Sequence, residues 1–287
     1  MGDLWSYLAD PFAPAFMQRA LAEVLLLAIP AGLLGAWVVL RGLAFFAHAL
    51  GHATFPALVI AYLAGWSVFG AAFVASLALA LALSRLGERP ELSEGVAVAV
   101  LLSAAVAVGA VLVSDVTDPG VGANTLLFGS LLAVADADVA RSGIVAGLTL
   151  VVSLVAGRAW LAIALDRGSA SATGLPVRSL DAALLVLLAA AVAVSVSIVG
   201  SLMITGLFLV PAATARLLTR HLWGLQALAV ALAAVEGVVG LWIAFRLDAP
   251  PGACIAALAA AAFVVVAAAR PAWEWRIGRR ALRTEVG

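Results

Sequence analysis

The chain has 287 residues, of which 65% are hydrophobic and 11% charged, with a mean hydropathy of +1.17. Soluble domains are about 45–50% apolar and about 25% charged, so a water-soluble globular protein is excluded. The sixteen basic residues are all arginine and balance sixteen acidic ones. Without a lysine there is no P-loop to reach the phosphates of a nucleotide, which leaves any ATP hydrolysis to a separate subunit. Without a basic domain, nucleic acid is excluded as a partner. A single cysteine, Cys254, excludes an intrachain disulfide and a CxxC metal or redox site.

In chain order, residues 1–18 mix Asp3, Asp10, Pro11 and Pro14 with aromatics and read as an interfacial lead-in. Apolar windows follow at 20–40, 44–64, 68–84, 94–113, 120–135, 142–163, 181–210, 224–246 and 252–269. Most approach the ~18–20 residues that cross a hydrocarbon core. The first has no basic region ahead of it and is about twenty residues long, which marks a spanning helix and not a cleaved leader. The 120–135 window is short and is expected to be a half-helix; 181–210 exceeds one span and is expected to tilt or break. The expected fold is therefore an all-α, polytopic membrane helix bundle of about eight to nine spans. It comprises the lead-in 1–18, one transmembrane domain 19–270 and a basic tail 271–287.

Arginine placement orients the bundle. Five arginines between Arg270 and Arg283 put the C-terminus in the cytoplasm. Nine crossings then leave the N-terminus outside. Arg41, Arg85, Arg89, Arg141, Arg216 and Arg220 fall inside, with Arg19, Arg158, Arg167, Arg178 and Arg246 at or near the outer face.

Ionisable residues within the windows are the functional candidates, because a charge at the bilayer centre costs about 2.5–3.5 kcal/mol. His48 and His52 are four residues apart, so on a helix they share one face about 5–6 Å apart. Two imidazoles at that spacing suit a shared transition metal, although either one alone is explained by an interhelical hydrogen bond. Glu236 sits mid-window with no charge nearer in sequence than Arg246. It either lends an oxygen to the same metal or is a neutral acid bonded to nearby backbone. Glu23, one turn after Arg19, reads as an interfacial Arg–Glu pair. Asp136 and Asp138 mark a helix start, Cys254 is a small packing residue, and His221 follows Arg216 and Arg220 at the cytoplasmic face. Ala49, Leu50 and Gly51 between the histidines leave no general base, which argues against a zinc protease helix.

Three stretches carry a family resemblance. They are Gly35 to Ala57, with an Arg, an aromatic pair and the two histidines; Leu127-Phe-Gly-Ser-Leu-Leu; and Val199 to Leu218, containing Pro-Ala-Ala-Thr-Ala. Together with weaker echoes at Ala172-Thr-Gly and near 250, they resemble the permease subunits of ABC importers for zinc, manganese and iron. The resemblance implies a homodimeric permease in the bacterial inner membrane, a cytoplasmic ATPase dimer and an extracytoplasmic metal-binding protein. It implies no permanently bound cofactor; the metal is cargo. Pro211, Ala212, Ala213, Thr214, Ala215, Arg216 and Arg220 would form a helix that couples to the ATPase, separated by Pro211 from the apolar run before it. His48 stands where the family usually has Asp, while His52 matches the family His. Because imidazole suits zinc and carboxylate suits manganese, zinc is the expected cargo and manganese the next. The competing reading is a stand-alone secondary transporter or channel, with the histidines and Glu236 as a proton relay. A further one is an assembly subunit whose histidines only brace helices.

Overall fold

A computed structural model describes residues 10–86, 94–114, 134–200 and 204–284. The described residues are helical, with no strand. Hydrocarbon offers no partner for backbone N–H and C=O groups, so each spanning segment must satisfy its own. Long runs of Ala and Leu, both good helix formers, do so as α1 (Ala15–Leu40), α2 (Ala44–Ala64), α3 (Val68–Leu86), α4 (Glu94–Ser114) and α5 (Asp136–Leu165). The short α6 (Arg167–Ala172) leads to α7 (Val177–Val199), α8 (Ile204–Phe208), α9 (Val210–Leu218), α10 (Leu222–Leu247) and α11 (Pro251–Thr284). The boundaries fall within a few residues of the apolar windows, apart from the 120–135 window, Asp115, Asp118 and Leu127-Phe-Gly, which lie outside the described residues. The lead-in gives way to helix already at Ala15, and helix continues past residue 270 to Thr284.

Turn chemistry sets the ends. Gly65 adopts φ +67°, and the N–H groups of Gly65 and Trp66 return to the carbonyls of Tyr62 and Ala61 at 3.3 and 2.8 Å. A left-handed glycine closes a helix in this way. Asp138 accepts the Ala135 N–H at 3.2 Å, so the acids at 136 and 138 mark a helix start as expected.

α1 forms the centre, with Leu27, Leu34 and Trp37 almost fully buried. α10 lies antiparallel to it at very short range. A Cβ on Gly32 would fall 2.3 Å from the Val230 nitrogen, and one on Gly237 2.1 Å from Val24 Cγ1. α5 runs parallel to α1. Arg19 meets Asp136 at 3.7 Å near one end, and the Trp37 and Trp160 rings meet edge-on at 5.7 Å towards the other.

At that second end Asp181 bridges two arginines. Its Oδ1 lies 2.7 Å from Arg41 and its Oδ2 2.7 Å from Arg167. The triad places the C-terminus of α1 and the N-termini of α6 and α7 on one side of the bundle. Ala36, Ala212, Ala215, Leu225 and Ala229 pack as one cluster near the same end, which also brings the α9–α10 turn there.

These contacts revise the expected topology. α2, α3 and α4 are long enough to cross in turn from the Arg41 end, with 21, 19 and 21 residues. α5 then starts from the opposite end, where Arg19 holds Asp136. The end of α4 and the start of α5 therefore lie on the same side. The 181–210 window contains a break, as its length led one to expect: α7 ends at Val199, and α8–α9 lead to the Arg41 end. Among the described residues six helices are long and apolar enough to cross a membrane and three shorter apolar stretches accompany them; Arg158, Arg167 and Arg178 move to the Arg41 end and Arg141 to the opposite one. Among the described arginines only Arg19, Arg141 and Arg246 remain opposite, and the positive-inside rule makes the Arg41 end cytoplasmic.

In a Cys254→Ser background, Arg178→Cys is expected to react with an impermeant thiol reagent only from the cytoplasmic side, and Arg141→Cys only from the outer side. Labelling of both from the same side in sealed oriented vesicles would refute this arrangement.

Candidate functional site

His48 and His52 project from the first half of α2, and the i,i+4 spacing does bring them together. Their ring centroids are 4.3 Å apart, tilted by 43°. His52 Nδ1 lies 3.1 Å from the His48 carbonyl oxygen, so Nδ1 carries the proton and donates it. That leaves the lone pair on Nε2. His48 Nδ1 lies 2.7 Å from the Thr205 hydroxyl oxygen. When the imidazole donates there, its Nε2 is also bare. A neutral imidazole whose other nitrogen is held by a hydrogen bond is the form that ligates metals. Pro56, inside α2, has no N–H to give the His52 carbonyl one turn back. The segment thus offers two ring nitrogens and one carbonyl oxygen whose helical donor is missing.

Glu236 does not join them. It lies on α10 and is 3% exposed, and neither carboxyl oxygen has a hydrogen-bond partner. Among the described residues no three His, Cys, Asp or Glu side chains converge on a point where one metal would fit. Glu23 departs from expectation as well. It is fully buried and accepts the Ser142 hydroxyl, while Arg19 turns to Asp136. The parallel packing of α5 along α1 supplies both partners, which the sequence of α1 alone could not reveal.

The 204–218 segment is built differently from its sequence reading. The chain leaves helical geometry at Gly200, with φ +88°, and not at Pro211. A second, milder break separates α8 from α9 at Leu209, two residues before Pro211; Leu209 N–H bonds the Thr205 carbonyl at 2.9 Å and Ala213 N–H bonds the Leu209 carbonyl at 2.8 Å. Pro211 falls in the first turn of α9, where a missing N–H costs least. Pro211, Ala212, Thr214 and Ala215 are buried, Ala213 is half-buried, and Arg216 and Arg220 are exposed. α9 ends at Leu218, so Arg220 lies just beyond it, and exposed His221 caps the start of α10. The cytoplasmic face of this segment is therefore made by Arg216, Leu218, Arg220, His221 and Trp223.

Sequence reasoning missed Thr205 and Asp181. Thr205 meets His48 across 157 residues and Asp181 meets Arg41 across 140, and neither stands in a local pattern that betrays that contact.

A bundle of apolar spanning helices with an imidazole pair on one of them and a short Arg-bearing helix at the Arg41 end has the build of a membrane transport subunit. The family model for the ABC 3 transport family matches residues 13–270, and the chain belongs to that family. It is accordingly an ABC transporter permease and not itself an enzyme. It is 29% identical over 265 residues to the manganese transport system membrane protein MntC of Halalkalibacterium halodurans, covering 92% of this chain and 91% of that one. It is 30% identical over 265 residues to the chelated iron transport system membrane protein YfeD of Yersinia pestis, covering 92% and 89%. Among solved structures, PsaBC from Streptococcus pneumoniae in complex with Fab superposes with a TM-score of 0.81 at 26% identity, over 92% of this chain and 95% of that one.

Because Glu236 does not converge with the two imidazoles on one metal position, the isosteric Glu236→Gln variant is expected to keep metal uptake within about twofold of the parent. A tenfold loss at equal membrane abundance would return the carboxylate to the pathway.

Proposed function

We propose that this permease carries iron(II) or manganese(II) into the cytoplasm and that His48 and His52 are the ligands the ion meets within the membrane. The observation that supports this most directly is the imidazole pair itself: adjacent rings, each with Nδ1 engaged in a hydrogen bond, which leaves Nε2 to a metal wherever Nδ1 is the donor. Zinc, the expectation from two imidazoles, gains no support from relatives named for manganese and chelated iron. Imidazole suits iron as well as zinc, whereas manganese prefers carboxylate and water. Iron(II) is therefore the cargo on which ligand chemistry and kinship agree, with manganese second.

Two nitrogens and one carbonyl oxygen do not complete a coordination sphere. A second copy of the chain completes the pathway, each copy contributing its own His48 and His52. Incompleteness within one copy is useful, since an ion that binds too tightly cannot leave. Energy comes from a cytoplasmic ATPase dimer, which engages the exposed flank of α9 and the turn after it. An extracytoplasmic protein delivers the metal to the opposite face, in the inner membrane of a bacterium. Pro211, Ala212, Thr214 and Ala215 act in this by packing α9 into the bundle, and Arg216 and Arg220 by meeting the partner.

Two measurements test the reading. His48→Ala and His52→Ala, co-expressed with the ATPase and binding protein, are each expected to lower iron(II) and manganese(II) uptake at least tenfold at unchanged abundance. Uptake at parental level in both would remove the imidazoles from the pathway. Arg216→Glu with Arg220→Glu is expected to abolish co-purification of the ATPase and leave the thermal stability of the solubilised permease unchanged. Uptake that persists in liposomes without any ATPase, driven by a proton gradient, would favour a secondary transporter.

A further inference from the structure

We infer that Thr205 is the positioning residue of the metal pathway: its hydroxyl fixes the orientation of His48 and ties that ligand to the helical rod that reaches the cytoplasmic face. This deepens the proposed transport reading and rests on it. The geometry is specific. Thr205 Oγ1 and His48 Nδ1 are 2.7 Å apart in a half-buried setting, with 157 residues between them in sequence. An imidazole has two ring nitrogens, and the one held by a hydrogen bond decides which is left to a metal. Thr205 holds Nδ1, and so presents Nε2 beside the Nε2 of His52.

The position of Thr205 in the chain gives the contact a second role. It lies one residue into α8, directly after the break at Gly200 and the short segment that follows. From there the chain reaches Leu218 as two helical pieces, α8 and α9, which meet at Leu209; that residue keeps helical φ and ψ of −89° and −45°, bonding back to Thr205 and forward to Ala213. Residues 204–218 therefore form a short jointed rod, two helical pieces linked at Leu209, between the break and the extended residue Thr219. The rod is gripped at close range. A Cβ on Gly35 would fall 2.1 Å from the Phe208 carbonyl oxygen, and one on Gly206 2.9 Å from Ala256 Cβ. At the other end of the rod stands the exposed Arg216. A displacement imposed at the cytoplasmic face would move Thr205 relative to α2, lengthen or break its bond to His48, and free the ring to turn. Loading and release of the ion would then be controlled through a hydrogen bond whose partner rides on the ATPase-facing element.

The test compares Thr205→Val, which keeps the shape and removes the hydroxyl, with Thr205→Ser, which keeps the hydroxyl. Initial rates of iron(II) and manganese(II) uptake are measured across metal concentrations in cells expressing the full importer, beside His48→Ala and at matched permease abundance. Loss of a hydrogen bond that orients a metal-binding His weakens metal handling about 10–100-fold. Thr205→Val is expected to raise the half-saturating metal concentration at least tenfold, and Thr205→Ser to stay within about threefold of the parent. Parental behaviour of Thr205→Val while His48→Ala fails would overturn the positioning role and leave the metal pathway intact. Equal loss in the Val and Ser variants would overturn it too, since a hydroxyl in place would then have no effect. Parental uptake in His48→Ala would instead sink the transport reading on which the inference rests.

Discussion

Everything in this molecule depends on how closely other helices can approach α1. In lipid there is no hydrophobic force to press apolar helices together, so association relies on contact between surfaces that fit. Around α1 that fit is achieved by missing side chains. Gly32 admits the backbone of α10 at Val230, Gly237 receives Val24, and Gly35 receives the Phe208 carbonyl. Any Cβ at these three positions would overlap a neighbouring atom, in two cases backbone, which cannot yield as a flexible side chain can. Small residues here are the condition for the bundle to close.

The candidate site inherits its geometry from this constraint. Gly35 seats the 204–218 rod against α1, and a seated rod holds Thr205 at hydrogen-bond distance from His48. The polar contacts at the cytoplasmic end complete the frame. Asp181 lies between Arg41 and Arg167 and fixes the start of α7 relative to the end of α1. In a region of reduced dielectric such a bridge is sensitive to the loss of any member, because an unpaired charge there is costly. Packing of small residues thus sets distance, and the ion triad fixes the ends.

Much of this was legible in the sequence. Spans in a bilayer announce themselves by apolar length, and the helix limits were readable to within a few residues. The imidazole pair was readable because four residues return to the same face of a helix. Three things were not legible, each for a physical reason. The 181–210 window was expected to tilt or break at no stated position, and only the structure places that break at Gly200, where a positive φ is needed; the helix boundary expected at Pro211 falls two residues earlier, at Leu209. The sidedness of Arg158, Arg167 and Arg178 depends on the number of crossings between Arg41 and Asp181, which only the ion triad reveals. The separation of Glu236 from the histidines is a matter of which helices are neighbours. Apolar helices with nearly uniform faces carry little information about that.

The depth of the imidazole pair carries an electrical consequence. His48 and His52 lie only ~6 and ~12 Å along α2 from its cytoplasmic start. A divalent cation reaching them has crossed most of the hydrocarbon, and with it most of the transmembrane voltage. At about 2.3 kcal/mol per charge for each 100 mV, a doubly charged ion has already collected most of roughly 4.6 kcal/mol. The remaining step inward is short, and the arginines at that mouth raise the potential against re-entry from the cytoplasm. On the proposed pathway such placement divides the voltage unequally, with most of it acting before the ion is bound and little of it on release to the cytoplasm.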